Sequence, residues 1–236
     1  MCKAVALREK IVLKPVPLPH TSLLRVTSGI NRYHSVRMLI AQSHLTFLDF
    51  ETTGIDARGG ERVCEVGILR CFGLQIEKEY SSLVNPQKHI SAGASAVNGI
   101  TDDMVNGAPC FSSIAPELLS LMENSIIVCH NAPFDLSFLC SELLNNNMPM
   151  IENYLIDTLS VARKHFHFPS NKLQSIASGL GIDPGQKHRA LADVHTTRQV
   201  LQYYIGEIRH RMDARPEEIL ISGKRCSELV TMSAKA

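Results

Sequence analysis

The sequence has almost no excess of charge: 24 lysines and arginines stand against 23 acids, for a formal net charge of +1. That balance excludes the global basic field of a duplex-coating protein, so any contact with nucleic acid must be a local site. No apolar run reaches membrane-spanning length and the mean hydropathy is +0.01, which argues against an integral membrane protein. The 7 cysteines contain no Cys-x-x-Cys pair, and no Cys/His cluster suggests zinc. Odd in number and set mostly among apolar residues, they read as free buried thiols of a reducing compartment, so the expected location is cytoplasmic. Internal repeats and low-complexity segments are also lacking. What is present, 236 residues with 44% hydrophobic content, suffices for one sizeable α/β domain with terminal extensions.

Residues 1–43 carry Lys3, Arg8, Lys10, Lys14, Arg25, Arg32 and Arg37 against one acid, Glu9, and are broken by Pro15, Pro17 and Pro19. They read as an extension outside the domain. A basic arm, or an over-long start with Met38 as initiator, is preferred to an organellar transit peptide, which the acid-poor composition also resembles. The pattern changes at Leu45, where Leu-Thr-Phe-Leu-Asp-Phe has the length and residue types of a buried strand. Val63–Cys71 and Gln75–Val84 read as two more strands joined at Gly73, and Ile90–Pro109 as loop. Beyond that, helix and strand alternate: helix 112–122, strand 126–129, helix 133–144, strand 154–156, helices 158–165 and 172–180, and a long amphipathic helix over 189–211. A three-strand meander followed by βα units predicts an α/β fold, a mixed sheet flanked by helices. The expected boundaries are a domain over 44–211 and a tail over 212–236.

Asp49 and Glu51, separated by one residue on a strand, point to the same face while Phe50 points to the other. Two acids on one face of an apolar strand repel, so a neighbouring cation or a raised pKa is required. Asp135 falls in the first turn of the helix that follows a buried strand, where an acid is often only a complement to the helix dipole. Asp193 falls in the first turns of the last helix. His188, five residues earlier, cannot share its face and belongs to the entering loop, where a bland reading is a solvent-exposed histidine beside Lys187 and Arg189. Their conjunction points to chemistry, because strand ends and helix starts are where an open α/β sheet gathers ligands.

Leu48-Asp49-Phe50-Glu51-Thr52-Thr53-Gly54, His130-Asn131-Ala132-Pro133-Phe134-Asp135 and His188-Arg189-Ala190-Leu191-Ala192-Asp193 resemble the three motifs of the DnaQ-like (DEDDh) 3′→5′ exonucleases. That family includes the proofreading subunit of bacterial DNA polymerase and related stand-alone enzymes. Glu65 in Glu-Val-Gly, Asn98 to Thr101, Asp157-Thr158 and Leu173 to Ile182 also look like family landmarks, so the resemblance covers about residues 44–205. It implies a ribonuclease H-like fold. The family often has His-Gly-Ile where this chain has Asn98-Gly99-Ile100, a change that touches local loop or substrate contacts rather than a metal ligand. The tyrosine-type branch would place Tyr where Arg189 stands, so His188 selects the histidine-type branch.

The resemblance implies two divalent cations, Mg²⁺ or Mn²⁺, held by Asp49, Glu51, Asp135 and Asp193, with His188 as general base. Activity is then expected to rise from neutral toward mildly alkaline pH. Thr52 and Thr53 are candidate donors to the substrate 3′-OH, and Phe134 and Phe138 are candidate wedges against the terminal base. For Phe138 a place in the core is an equal expectation. The implied substrates are single-stranded DNA or RNA 3′ ends, DNA favoured, with a DNA polymerase as a candidate partner and the oligomeric state open. An RNA-trimming enzyme of the same fold and a non-catalytic nucleic-acid-binding module are the alternatives.

Overall fold

The computed structural model describes residues 40–185 and 188–210, with the side chains of 208–210 left aside. Most of the expected N-terminal extension and all of the tail from 212 lie outside the described residues. Five strands form one sheet: β1 (His44–Thr52), β2 (Val63–Phe72), β3 (Gln75–Leu83), β4 (Ser125–Cys129) and β5 (Tyr154–Asp157). Their order is β3-β2-β1-β4-β5. β1, β2 and β3 run antiparallel as a meander, whereas β4 lies parallel to β1 and β5 parallel to β4. This is the mixed sheet that the strand order predicted. β4 is buried at every position, as a parallel strand covered on both faces must be.

Seven helices complete the described chain: α1 (Ala92–Asn98), α2 (Asp102–Val105), α3 (Phe111–Met122), α4 (Ala132–Asn145), α5 (Thr158–His165), α6 (Leu173–Gly179) and α7 (Ala190–His210). α1 and α2 replace the loop expected over 90–109. Ser91 caps α1 by accepting the Ala94 amide at 3.1 Å, and Gly99 ends it with φ 71° and its N–H donating to the Ser95 carbonyl at 2.8 Å. Such short, cap-dependent turns carry no apolar period, which is why a pattern-based reading passes over them.

Alternation along β1 divides the core. Leu48 and Phe50 enter a cluster with α3 and α4, whereas Leu45 and Phe47 enter a second with α5, α6 and α7. Asp49 and Glu51 share the second face with Phe47. In the β1–β2 register Asp49 faces Gly67 and Glu51 faces Glu65, so β2 offers a glycine and an acid to the same face. Gly67 is required there by close approach: a Cβ would lie 2.3 Å from the carbonyl carbon of Ala190 and 2.5 Å from the amide nitrogen of Leu191. The missing side chain lets the start of α7 sit directly on the sheet.

Gly67→Ala should therefore lower stability by about 2 kcal/mol, a typical cost of forced overpacking, or roughly 4–8 °C in Tm. A thermal melt of the purified variant checks this, and an unchanged Tm would mean that α7 does not rest on β2.

Candidate active site

Four carboxylates arrive at one end of the sheet by three routes. β1 brings Asp49 and Glu51 to its C-terminal end. β4 ends at Cys129, and Asn131, at φ 77°, turns the chain sharply into α4, whose first turn carries Asp135. Asparagine tolerates this left-handed conformation, and its amide is fixed by Asp157 Oδ1 at 2.9 Å, the same oxygen that caps α5. Asp135 is 2% exposed, and its Oδ1 accepts the Phe50 amide at 3.1 Å, which ties the start of α4 to β1. α7 supplies Asp193, 5% exposed, whose Oδ1 accepts a hydrogen bond from Gln174 Nε2 at 2.9 Å. His188 lies exposed in the turn before α7, at φ 54°. One donor atom each from Glu51, His188 and Asp193 lies within 4.8 Å of the others, close enough to share a metal ion.

The charges at this end are mutually unfavourable. Burial, then Asp135, Asp193, Glu51 and Glu65, hold the Asp49 carboxyl well above the usual carboxylate range. Burial does the same to Asp135, against the opposing bond from Phe50. Glu51 is pushed up to about 7 by burial and by Asp193 and Glu65, with Asn98 and Arg189 pulling it down. Asp193 rises to about 6, chiefly through burial, with the Gln174 bond opposing. Burial and mutual repulsion both disfavour the ionised forms, so the fully charged cluster is costly without a counter-ion.

A cleft of about 1100 Å³ opens over these groups and takes in Asp49, Glu51, His188 and Asp193, while Asp135 lies behind its floor. Thr52 and Phe134 line it. The Thr52 hydroxyl already donates to the Gly54 carbonyl at 2.6 Å. Two expectations need correction. Thr53 is 1% exposed and turned away: its amide donates to the Arg62 carbonyl at 2.9 Å and its hydroxyl to the Glu61 carboxylate, which leaves no donor for a substrate. Phe138 is fully buried in the core against Leu139 and Leu143, one helical turn below Phe134, so only Phe134 of that pair reaches the cleft.

Further residues stand in or behind the walls, and of these Asn98 and Glu65 are landmarks of the family resemblance. Arg163 and Lys172, both exposed, stand on one side. Ile55, 88% exposed, and Val97, 59% exposed, stand among the other lining residues. Asn98 is buried and donates from Nδ2 to the Thr52 carbonyl at 3.2 Å. Glu65, 1% exposed, is gripped by Arg189. For Glu65 the signal was available, since an acid inside the apolar run 63–69 must have a buried partner.

Comparison with known proteins adds sequence and fold relatives. The exonuclease family model of RNase T type matches residues 46–201. The PolC-type DNA polymerase III of Thermotoga maritima is 38% identical over 158 residues, which cover 67% of this chain but 12% of that protein. The DNA polymerase III subunit epsilon of Buchnera aphidicola is 29% identical over 186 residues, covering 74% of this chain and 76% of that one. Among solved structures, Exonuclease X in complex with 5′ overhanging duplex DNA superposes with a TM-score of 0.60 at 22% identity, over 76% of this chain and 99% of that chain. The nuclease domain of 3′hExo, a DEDDh family member bound to rAMP, gives 0.60 at 18% identity, over 70% and 93%. These structural likenesses show the fold, which is ribonuclease H-like. With a family match running from β1 far into α7, across every element that carries a residue of the cleft, the chain belongs to the DnaQ-like (DEDDh) exonuclease family of nuclease enzymes.

Proposed function

We propose that the chain is a divalent-metal-dependent 3′→5′ exonuclease that acts on single-stranded 3′ ends, DNA favoured, and releases nucleoside 5′-monophosphates. The observation that carries this reading is the convergence of Asp49, Glu51, Asp135 and Asp193 at one sheet end beside an open cleft. All four offer oxygen only, which suits hard cations, and their raised pKa values mark charge that a cation would neutralise. Two Mg²⁺ or Mn²⁺ ions would be held by these four groups. When bound, they supply acidification of water and neutralisation of charge at the leaving 3′ oxygen.

The protein's own groups do the rest. His188, exposed at the cleft and beside Glu51 and Asp193, takes the proton from the attacking water and passes it to solvent. The water oxygen adds to phosphorus, the P–O3′ bond breaks with its electron pair on the leaving 3′ oxygen, and that oxygen takes a proton from solvent to end as a hydroxyl on the shortened strand. Arg163 and Lys172 offer positive charge to backbone phosphates, and Phe134, Ile55 and Val97 offer apolar surface to unpaired bases. Stacking of this kind supplies about 1–3 kcal/mol per base. Thr52 is the remaining contact for the terminal sugar. The polymerase relatives favour DNA as substrate and a DNA polymerase as partner. The exonuclease domain is assigned to residues 44–211, with 1–43 and 212–236 outside it.

Incubation with matched 5′-labelled single-stranded DNA and RNA tests the reading directly. A metal-dependent ladder shortening from the 3′ end is expected, faster on DNA, reduced to background by Asp49→Ala and slowed at least about 100-fold by His188→Ala. Faster loss of RNA would move the substrate assignment to RNA trimming, and binding without cleavage in any metal would leave a non-catalytic module.

The carboxylates also predict a pH-dependent response to metal. With folded-state values near 6 and 7 for Asp193 and Glu51, above their ordinary 3.8 and 4.5, the native protein keeps protons that the unfolded chain releases. Their contribution to stability is present below about pH 4 and is lost as pH rises toward 7. Mg²⁺ or Mn²⁺ should therefore raise Tm more at pH 8 than at pH 5.5, and Asp49→Asn should raise the metal-free Tm at pH 8 while shrinking the metal response. Equal metal shifts at both pH values would contradict a carboxylate-bound cation.

A further inference from the structure

We propose that Glu65 and Arg189 form a positioning device that holds His188 over the cleft from strand β2. The inference rests on the exonuclease reading for what His188 does, but its geometry stands apart from that reading. Glu65 has a side chain 2% exposed and sits directly opposite Glu51 in the sheet register. A fifth buried carboxylate beside four others is an expensive choice, and it is compensated from one direction. Arg189 grips Glu65 with two nitrogens, Nε at 3.0 Å and Nη2 at 2.7 Å from Oε1, with a further approach of Nε to Oε2 at 3.2 Å. Oε2 also accepts the Ala190 amide at 3.2 Å. That amide is the first of α7 and has no partner within its own helix, so Glu65 caps α7 from a neighbouring strand.

The two residues held in this way, Arg189 and Ala190, immediately follow His188. His188 itself is an exposed side chain on a left-handed backbone, φ 54°, a conformation that costs a non-glycine residue about 1–2 kcal/mol. A residue so placed needs its conformation imposed from outside, and the grip one position along the chain imposes it. The bare backbone of Gly67, two residues from Glu65 on the same face, admits Ala190 to the depth at which both bonds can form. The remainder of α7 is seated independently by buried Val194, Val200, Leu201 and Tyr204. Loss of the grip would thus loosen the entry to α7 and His188 rather than the helix.

Lysine keeps the charge of Arg189 but cannot reproduce a planar two-point grip, so Arg189→Lys separates positioning from electrostatics. Steady-state rates on a labelled single-stranded oligonucleotide with Mn²⁺ would be measured for wild type, Arg189→Lys, Glu65→Gln, His188→Ala and the Arg189→Lys/His188→Ala double variant. Arg189→Lys and Glu65→Gln should lower kcat at least about tenfold with KM within about threefold, and Arg189→Lys should cost nothing further once His188 is already alanine. A general loss of structure would multiply with His188→Ala instead and would overturn the proposal, as would a wild-type kcat in Arg189→Lys. Histidine ring NMR signals of the metal-free protein give a second readout that needs no activity. The His188 signal should move in Arg189→Lys while those of His130 and His195 stay in place, and an unmoved His188 signal would overturn the proposal even if the wild type failed to cleave. Absence of cleavage by the wild type alone would count against the exonuclease reading and not against the grip.

Discussion

Repulsion among carboxylates that the fold brings together out of water governs the site end of this protein. Asp49 and Glu51 share a strand face, Asp135 and Asp193 arrive from two helices, and Glu65 lies across the register from Glu51. Burial raises the pKa of each of the first four, and their neighbours raise it further. Nothing about stability alone would select such a cluster, since apolar residues of similar size would be cheaper. The surrounding structure is arranged so that it persists.

Three devices do this, two joining the sheet to α4 and one joining it to α7. Asp135 takes the Phe50 amide and so pins α4 to β1. Gly67 lets α7 descend onto β2, and Arg189 neutralises Glu65 there. A third brace lies away from the cleft, where Arg62 meets the buried Glu142 of α4 at 2.8 Å with both guanidinium contacts, and the Val63 amide adds a bond at 3.2 Å. Removal of one partner from such buried pairs leaves an uncompensated charge, so the elements around the cleft are fixed in register more firmly than apolar packing alone would require.

Most of the sheet was legible in the chain. The meander and the later βα alternation follow from strand-length apolar runs and turn residues, and β4 announces itself as the apolar run Ile126–Cys129. The two helices in 90–109 were not legible, because they are held by the Ser91 cap and Gly99 rather than by an apolar face. Among the candidate substrate contacts, Thr52 and Phe134 reach the cleft, whereas Thr53 and Phe138 do not. Thr53 follows a register shift at the end of β1 that turns it toward Glu61, and Phe138 falls one turn deeper on α4 than Phe134. A bulge is not encoded in local spacing, whereas the apolar stripe shared with Leu139 and Leu143 already offered Phe138 a place in the core.

By itself the sequence determined the succession of the five strands and the later helices, the pairing of Asp49 with Glu51 on one face, and the three motifs that place the chain in its family, because these depend on periodicity and residue type over a few positions. Only the tertiary structure decided that an acid in β2 and an arginine beyond residue 188 would meet, 124 positions apart, and that the missing side chain of Gly67 would set how deeply α7 sits. The physical reason is range. Strand alternation and helix capping act between neighbours in the chain, whereas a buried charge finds its partner, and a backbone its clearance, only after the sheet and its last helix have closed on each other.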